Sequence, residues 1–226
     1  IPLADYLATP AFSAGLVKRI VAECPRAAWW DSWLNPARER DDTAASDAGS
    51  IAHSILLEGN TDGVAVIDPE DHPAEKTGNI PDGWTNKSIR AARDDARAGG
   101  LIPVLKPDML IIENMVDSAR SFIDTLKLTE PAIWKAFQPD GGDSELTCLW
   151  DDGGLLCRMR PDRISKDRKL VVDPKFSARS TEPNSWSRQQ MGPLGYWITA
   201  AMYARGAKAL FGTEIDYTFL VVGQEP

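Results

Sequence analysis

Three side chains in the last third of this sequence carry the parts of a metal-assisted hydrolysis. Asp173 and Lys175 stand two apart in Leu170-Val171-Val172-Asp173-Pro174-Lys175, and a strand sends residues i and i+2 to the same face. Asp162 ends the preceding strand, where antiparallel pairing brings it beside Asp173. Two carboxylates and an ammonium on one face make a hard-oxygen site for Mg²⁺ or Mn²⁺. Phosphodiester hydrolysis uses those parts: metal to polarise the phosphate and acidify water, and a cation to position that water.

Neither half of this pattern is specific by itself. Pro-Asp also occurs at Pro81, Pro107 and Pro139, and Asp167-Arg168-Lys169 is a second Asp-x-Lys. Surroundings separate the two. Asp167 belongs to the four-charge turn Lys166 to Lys169, which solvent suits, whereas Asp173 follows an apolar run. A carboxylate and a lysine ending a buried strand are costly unless paired or metal-bound. A purely structural Asp173–Lys175 ion pair is the competing reading.

Further candidates surround this centre. Gly49-Ser50-Ile51-Ala52-His53 puts a histidine on a helix beside small residues; a lone helical histidine is more often packed than ligating. Glu145 begins the strand before a hairpin and could reach a metal through water. Tyr196, Thr199 and Tyr203 share one helix face. Basic candidates for holding a phosphate backbone are Arg160, Arg163, Lys175, Arg179 and Arg188, with Lys18, Arg19 and Arg26 from the first helix region.

The elements that must position these groups differ between two halves. Up to about Phe137 the patterns are mostly helical: Ala14 to Cys24 capped by Ser13, a short packed helix around Trp29, Trp30, Trp33 and Leu34, and Thr43 to Glu58 ended by Gly59. A strand at Val64 to Ile67 precedes a polar helix, Asn86 to Ala98, read as a solvated face. A longer helix from Pro107 buries Ile112, Met115, Val116, Ala119, Phe122, Ile123 and Leu126. After the Pro139–Asp143 loop come a hairpin (Glu145–Trp150 and Leu155–Arg160) and a strand, Leu170–Lys175. A helix at Ser185–Ala209, broken near Gly192-Pro193, and a strand at Tyr217–Val222 complete an α/β arrangement.

Composition bounds the rest. The chain has 226 residues, 43% hydrophobic and 26% charged, which suits one folded domain. No apolar run approaches the roughly 20 residues of a membrane span, and the start from Ile1 shows no secretory signal pattern. Three cysteines without CxxC spacing fit a reducing cytosol. A net charge of −8 and a pI near 4.9 argue against a uniformly basic nucleic-acid coat, though not against a carboxylate-lined nuclease site. Most of the eight tryptophans are expected in a core or subunit interface.

Taken in order, Gly49-x-x-x-His53, Leu57-Glu58, Glu145 with Trp150, Arg160-Pro161-Asp162, Asp173-x-Lys175, Gly195-Tyr196 and Tyr203 resemble the PD-(D/E)XK nuclease superfamily. They are most similar to its exonuclease VIII (RecE) branch, related to phage lambda exonuclease. The resemblance covers about Ser13 to Glu225. It implies a restriction-endonuclease-like α/β core, a central mixed sheet flanked by helices, in a single domain over 1–226 with a helical part to about 138 and the catalytic sheet from about 144.

The resemblance also implies roles. His53, Asp162, Asp173 and the backbone carbonyl of Pro174 would hold Mg²⁺ or Mn²⁺. Lys175 would orient or help deprotonate water, and Glu145 would support the metal shell. Arg160, Arg188, Tyr196, Thr199 and Tyr203 would contact DNA. It further implies a DNA exonuclease acting on linear duplex ends in bacterial or phage recombination or repair, cytoplasmic, assembled as a ring-shaped homo-oligomer, with a single-strand annealing protein as partner. The chain departs from the family at Thr199, where a glutamine is usual; Gln189 or Gln190 would have to substitute. Two alternatives stand beside this reading: a catalytically silent nuclease fold that binds DNA or a partner, and a Cas4-like nuclease without the iron–sulfur site, which three scattered cysteines cannot supply.

Overall fold

The computed structural model describes residues 1, 3–37, 44–177 and 179–223; the expected helix start at Thr43 and the end of the resemblance at Glu225 lie outside them. In chain order the elements are α1 (Leu3–Ala8), α2 (Ala14–Ala22), α3 (Pro25–Trp30), α4 (Ala44–Leu57), β1 (Val64–Ile67), α5 (Lys87–Ala98), β2 (Ile102–Leu105), α6 (Lys106–Thr125) and α7 (Pro131–Phe137). There follow β3 (Gly142–Ser144), β4 (Cys148–Asp151), β5 (Leu156–Met159), β6 (Arg163–Ser165), β7 (Leu170–Ser177), α8 (Pro183–Trp186), α9 (Tyr196–Phe211) and β8 (Asp216–Gly223). A single π-type turn, Ser187–Met191, links α8 towards α9.

Local chemistry sets several of these boundaries. The Ser13 hydroxyl accepts the Leu16 N–H and starts α2; the Asn86 side chain accepts the Ile89 N–H and starts α5. Pro25 and Pro131 occupy first turns, where a missing N–H costs no helical bond. Among the described residues no helix is long and apolar enough to cross a membrane.

The chain divides into two compact units that do not follow chain order. One comprises 1–41 and 123–221, the other 42–122 and 222–226. In the first, β3, β6, β7 and β8 form a four-stranded sheet in that order, with β3–β6 and β6–β7 antiparallel. Helix α7 packs on this sheet. Beside it, the β4–β5 hairpin packs against α9, and α2 lies along α9. Their shared core is Ala14, Cys148, Trp150, Cys157, Met159 and Met202. Gly206 lets α9 come this close: a Cβ there would stand 2.9 Å from the Met159 sulfur and 3.0 Å from the Trp150 ring. Cys148 and Cys157 are buried free thiols whose pKa values burial raises, so they behave as core residues.

In the second unit, β1 and β2 pair in parallel, and α5 lies in the crossover between them. Ile67, Ile89 and Leu105 form its core. The polar side of α5 faces outward, with Arg97 paired to Asp47 on α4 at 2.8 Å.

Some expectations need correction. The Trp29–Leu34 cluster is packed only in part: a short helix reaches Trp30 and Trp33 is half-buried, but Trp29, Trp30 and Leu34 are exposed. The helix expected over Ser185–Ala209 is broken at Gly192-Pro193 as expected, and its first part is only a single turn of α8 followed by the π-type turn. Phe122 is exposed although the rest of its stripe on α6 is largely buried. Glu145 starts no strand. It sits between β3 and β4 with φ of 52°, a conformation uncommon for a residue with a side chain.

Candidate active site

Strand β7 positions the centre. Leu170, Val171 and Val172 are buried in the sheet and draw Asp173 in behind them, so its side chain is only 6% exposed. Lys175 follows on the same face, half-buried, and its ammonium is ion-paired to Asp173. The β6–β7 register matches Arg163 with Val172 and Ile164 with Val171. Continued by one residue, that register sets Asp162 opposite Asp173. The two carboxyl groups share a hydrogen bond, and the Lys175 ammonium lies 3.8 Å from Asp162. Pro174 lies beyond the last β6 partner, so its missing N–H interrupts no ladder bond on that side.

The electrostatics of the pair follow from this closeness. Burial, and then the like charge of Asp173, push Asp162 well above the usual carboxylate range. Burial also opposes ionisation of Asp173, but the Lys175 charge and hydrogen bonds from Asp162, Lys175 and Tyr217 outweigh it and hold Asp173 low. Lys175, whose burial acts to lower it, is nevertheless raised by Asp173 and Asp162 and stays an ammonium. Loss of the second proton from the pair is therefore disfavoured, as for two adjacent buried carboxyl groups when too little positive charge is present.

Two neighbours frame Asp162. The Glu145 N–H donates to the Asp162 carbonyl at 3.2 Å, and the Glu145 carboxylate takes the Arg160 guanidinium at 2.6 Å. Arg160 also donates to the Thr147 hydroxyl at 2.7 Å and to the Ile1 carbonyl at 3.0 Å. A DNA-contact candidate by sequence, Arg160 thus has its head tied into the fold and holds Glu145. From α9, the Tyr203 hydroxyl donates to the Arg160 carbonyl at 3.2 Å and steadies the segment leading to Asp162.

Sequence reasoning missed Tyr217. From β8, next to β7, its hydroxyl donates to the second oxygen of Asp173 at 2.6 Å. Tyr217 continues an aromatic series through Phe219, Trp186 and Tyr196. The available signal was a tyrosine near the start of the largely apolar strand Asp216–Gly223, but neither pattern nor motif marks its partner.

The remaining candidates lie on several elements. Tyr196 lies under the Lys175 ammonium at 5.4 Å from the ring centre. Thr199 is half-buried on the same helix, and Arg188 is exposed on the π-type turn. Gln190 donates to the Ser177 hydroxyl at the end of β7 at 3.0 Å, whereas Gln189 bonds to Ser185. His53 is half-buried on α4 in the second unit.

Fold and centre define a mixed α/β protein of the PD-(D/E)XK type. Residues 16–226 match the family described as PDDEXK-like domain of unknown function (DUF3799), and the chain belongs to that family. Its fold is similar to that of a crystal structure from Eubacterium rectale named "Putative exonuclease", with a TM-score of 0.60 and 13% identity; the match covers 100% of this chain and 74% of that one. No curated protein matches.

Proposed function

We propose that this chain is a metal-dependent deoxyribonuclease of the exonuclease type, acting on linear duplex DNA, and that it belongs with the RecE-like nucleases. The observation that carries the reading is the buried Asp162–Asp173 pair closed by Lys175. Two buried carboxyl groups that oppose each other's ionisation are a natural seat for a hard divalent cation, whose charge favours both being ionised. Family membership in a PDDEXK-like domain supports the same conclusion.

The donor set fits Mg²⁺ or Mn²⁺: Asp162, Asp173 and the Pro174 carbonyl, with His53 added by the resemblance. A bound cation would polarise the scissile phosphate and acidify a water. The chain's own groups do the rest. Lys175, held as an ammonium, orients the attacking water and offsets developing charge. The Tyr217 hydroxyl fixes one oxygen of Asp173, and Arg160 fixes Glu145, so the carboxylates keep their directions while DNA enters. Arg188, Tyr196 and Thr199 stand as the DNA-side set, with Gln190 beside β7 in the role of the usual glutamine, while Tyr203 steadies the segment before Asp162. A homo-oligomeric ring, a single-strand annealing partner and a cytoplasmic place in recombination or repair belong to the same reading.

Digestion of end-labelled linear and closed circular duplexes with Mg²⁺ or Mn²⁺ tests it. Progressive loss of the linear DNA with the circle intact is expected. Cutting of the circle at an equal rate would replace the exonuclease with an endonuclease, and cutting of neither would remove the nuclease reading.

A further inference from the structure

The basic residues near β7 are mostly bound up within the protein. Arg158 donates to the Tyr6 and Thr9 carbonyls, Arg160 holds Glu145, and Arg163 donates to the Ala136 carbonyl at 2.7 Å and the Ser144 hydroxyl at 2.9 Å. Arg19 is paired with Glu23 and, at 2.9 Å, with Asp31. Lys18, beside it on α2, differs. It is half-buried, and among the described residues it forms no ion pair.

Its position is built. Gly195, the residue before α9, has φ of 61°, and a Cβ there would lie 3.3 Å from Lys18 Cγ and 3.6 Å from Lys18 Cδ. The glycine thus leaves room for the aliphatic stem of Lys18 and accepts a backbone conformation that other residues resist. Beyond it, the Lys18 ammonium rests 4.8 Å from the centre of the Tyr196 ring, the ring that also lies 5.4 Å from the Lys175 ammonium. Burial, and then the like charge of Lys175, lower the Lys18 pKa, and Asp173 offsets this only in part. Among the described residues no carboxylate pairs with this ammonium.

A DNA strand reaching Asp162 and Asp173 brings phosphates towards two carboxylates, and the charge of Lys175 is already engaged by both. An uncompensated cation at the rim removes that repulsion, and lysine suits a phosphate as a compact charge with three donors. We propose that Lys18 is a DNA-binding residue of this site, holding through its ammonium a backbone phosphate next to the one presented to Asp162 and Asp173. This rests on the nuclease reading.

The test compares wild type with Lys18→Met, which keeps the stem over Gly195 and removes the charge, and with Lys18→Arg, which restores it. Binding to linear duplex is titrated in chelator at several salt concentrations, and steady-state cleavage is measured in Mn²⁺. Lys18→Met should lower the log–log salt slope by about 0.9, the share of one phosphate on duplex DNA. It should raise KM roughly tenfold with kcat nearly unchanged, the mark of a contact made equally in ground and transition states. Lys18→Arg should restore both. An unchanged slope and KM in Lys18→Met would overturn the proposal, as would a Lys18→Arg protein of normal thermal stability that fails like Lys18→Met. Wild-type protein that binds DNA without cutting it would overturn the nuclease reading, while the slope comparison still decides Lys18. Wild type that neither binds nor cuts would overturn both.

Discussion

Asp173-x-Lys175 and Asp167-x-Lys169 are one pattern in two settings of the same sheet. Asp167 is exposed in the turn between β6 and β7. Its carboxylate accepts the Ser165 hydroxyl at 2.6 Å and the Lys169 N–H at 3.2 Å, and those bonds, the hydroxyl first, lower its pKa. They close a turn and face water. Asp173 is buried on β7 and answers to another carboxyl group, an ammonium and a phenol. The same residue types make a turn cap in one place and a charged centre in the other. The difference lies in what the neighbouring strands bring: Asp162 by antiparallel register and Tyr217 from β8.

The largest expected effect separates the two patterns directly. Asp173→Ala or Lys175→Ala should cut the rate of DNA cleavage about 10³-fold or more, since metal and water positioning supply several kcal/mol to the transition state. Asp167→Ala and Lys169→Ala should stay within about twofold of wild type. Steady-state assays on linear duplex, with circular dichroism to show folding, check this. If the Asp167 variants were the inactive ones, the centre would lie at the turn.

Next in size is Asp162→Asn, which should abolish cleavage yet stabilise the metal-free protein by about 1 kcal/mol, because asparagine gains no charge on unfolding as Asp162 does. The sign follows from the raised pKa of Asp162. Its folded form keeps a proton that the unfolded chain releases, so its contribution is complete below the ordinary carboxylate value and is lost as pH rises through the folded one. Asp173, held low, contributes above the ordinary value and loses that contribution as pH falls through its folded pKa. Thermal unfolding in chelator from about pH 4 upward should therefore show a falling arm in wild type that Asp162→Asn lacks. Equal slopes in the two proteins would remove the shared-proton account.

Much of this centre was legible in the sequence, for physical reasons that particular residues show. The run Leu170-Val171-Val172 announced a buried strand, and period-two geometry then put Asp173 and Lys175 on one face. Antiparallel pairing was enough to seat Asp162 opposite. Three features stayed hidden. Tyr217 is brought to Asp173 by the order of strands in the sheet, which pattern along the chain does not encode. Strand β2 was masked by Pro103, a residue that argues against strands and is accommodated here in a two-stranded sheet. Glu145 reached the site by a left-handed backbone turn instead of the expected strand, and alternation of residue types carries no trace of that.

A third prediction sharpens the comparison at Tyr217. Tyr217→Phe frees one oxygen of Asp173 without touching the Asp167 turn. Cleavage should fall roughly tenfold, with a higher Mn²⁺ concentration needed for half-maximal rate, and stability should fall by about 1 kcal/mol. Unchanged metal demand would make Tyr217 a packing residue alone. Smallest is the cost of Asp167→Ala to folding, about 0.5 kcal/mol for an exposed turn cap, read as a slight drop in Tm with cleavage intact.

The central claim, a divalent cation seated at Asp162 and Asp173, is tested most directly by release of nucleotides from linear duplex in Mg²⁺ or Mn²⁺, with and without excess chelator. Cleavage that stops on chelation and returns when the metal is restored in excess is the predicted result. Full activity in excess chelator would contradict the claim.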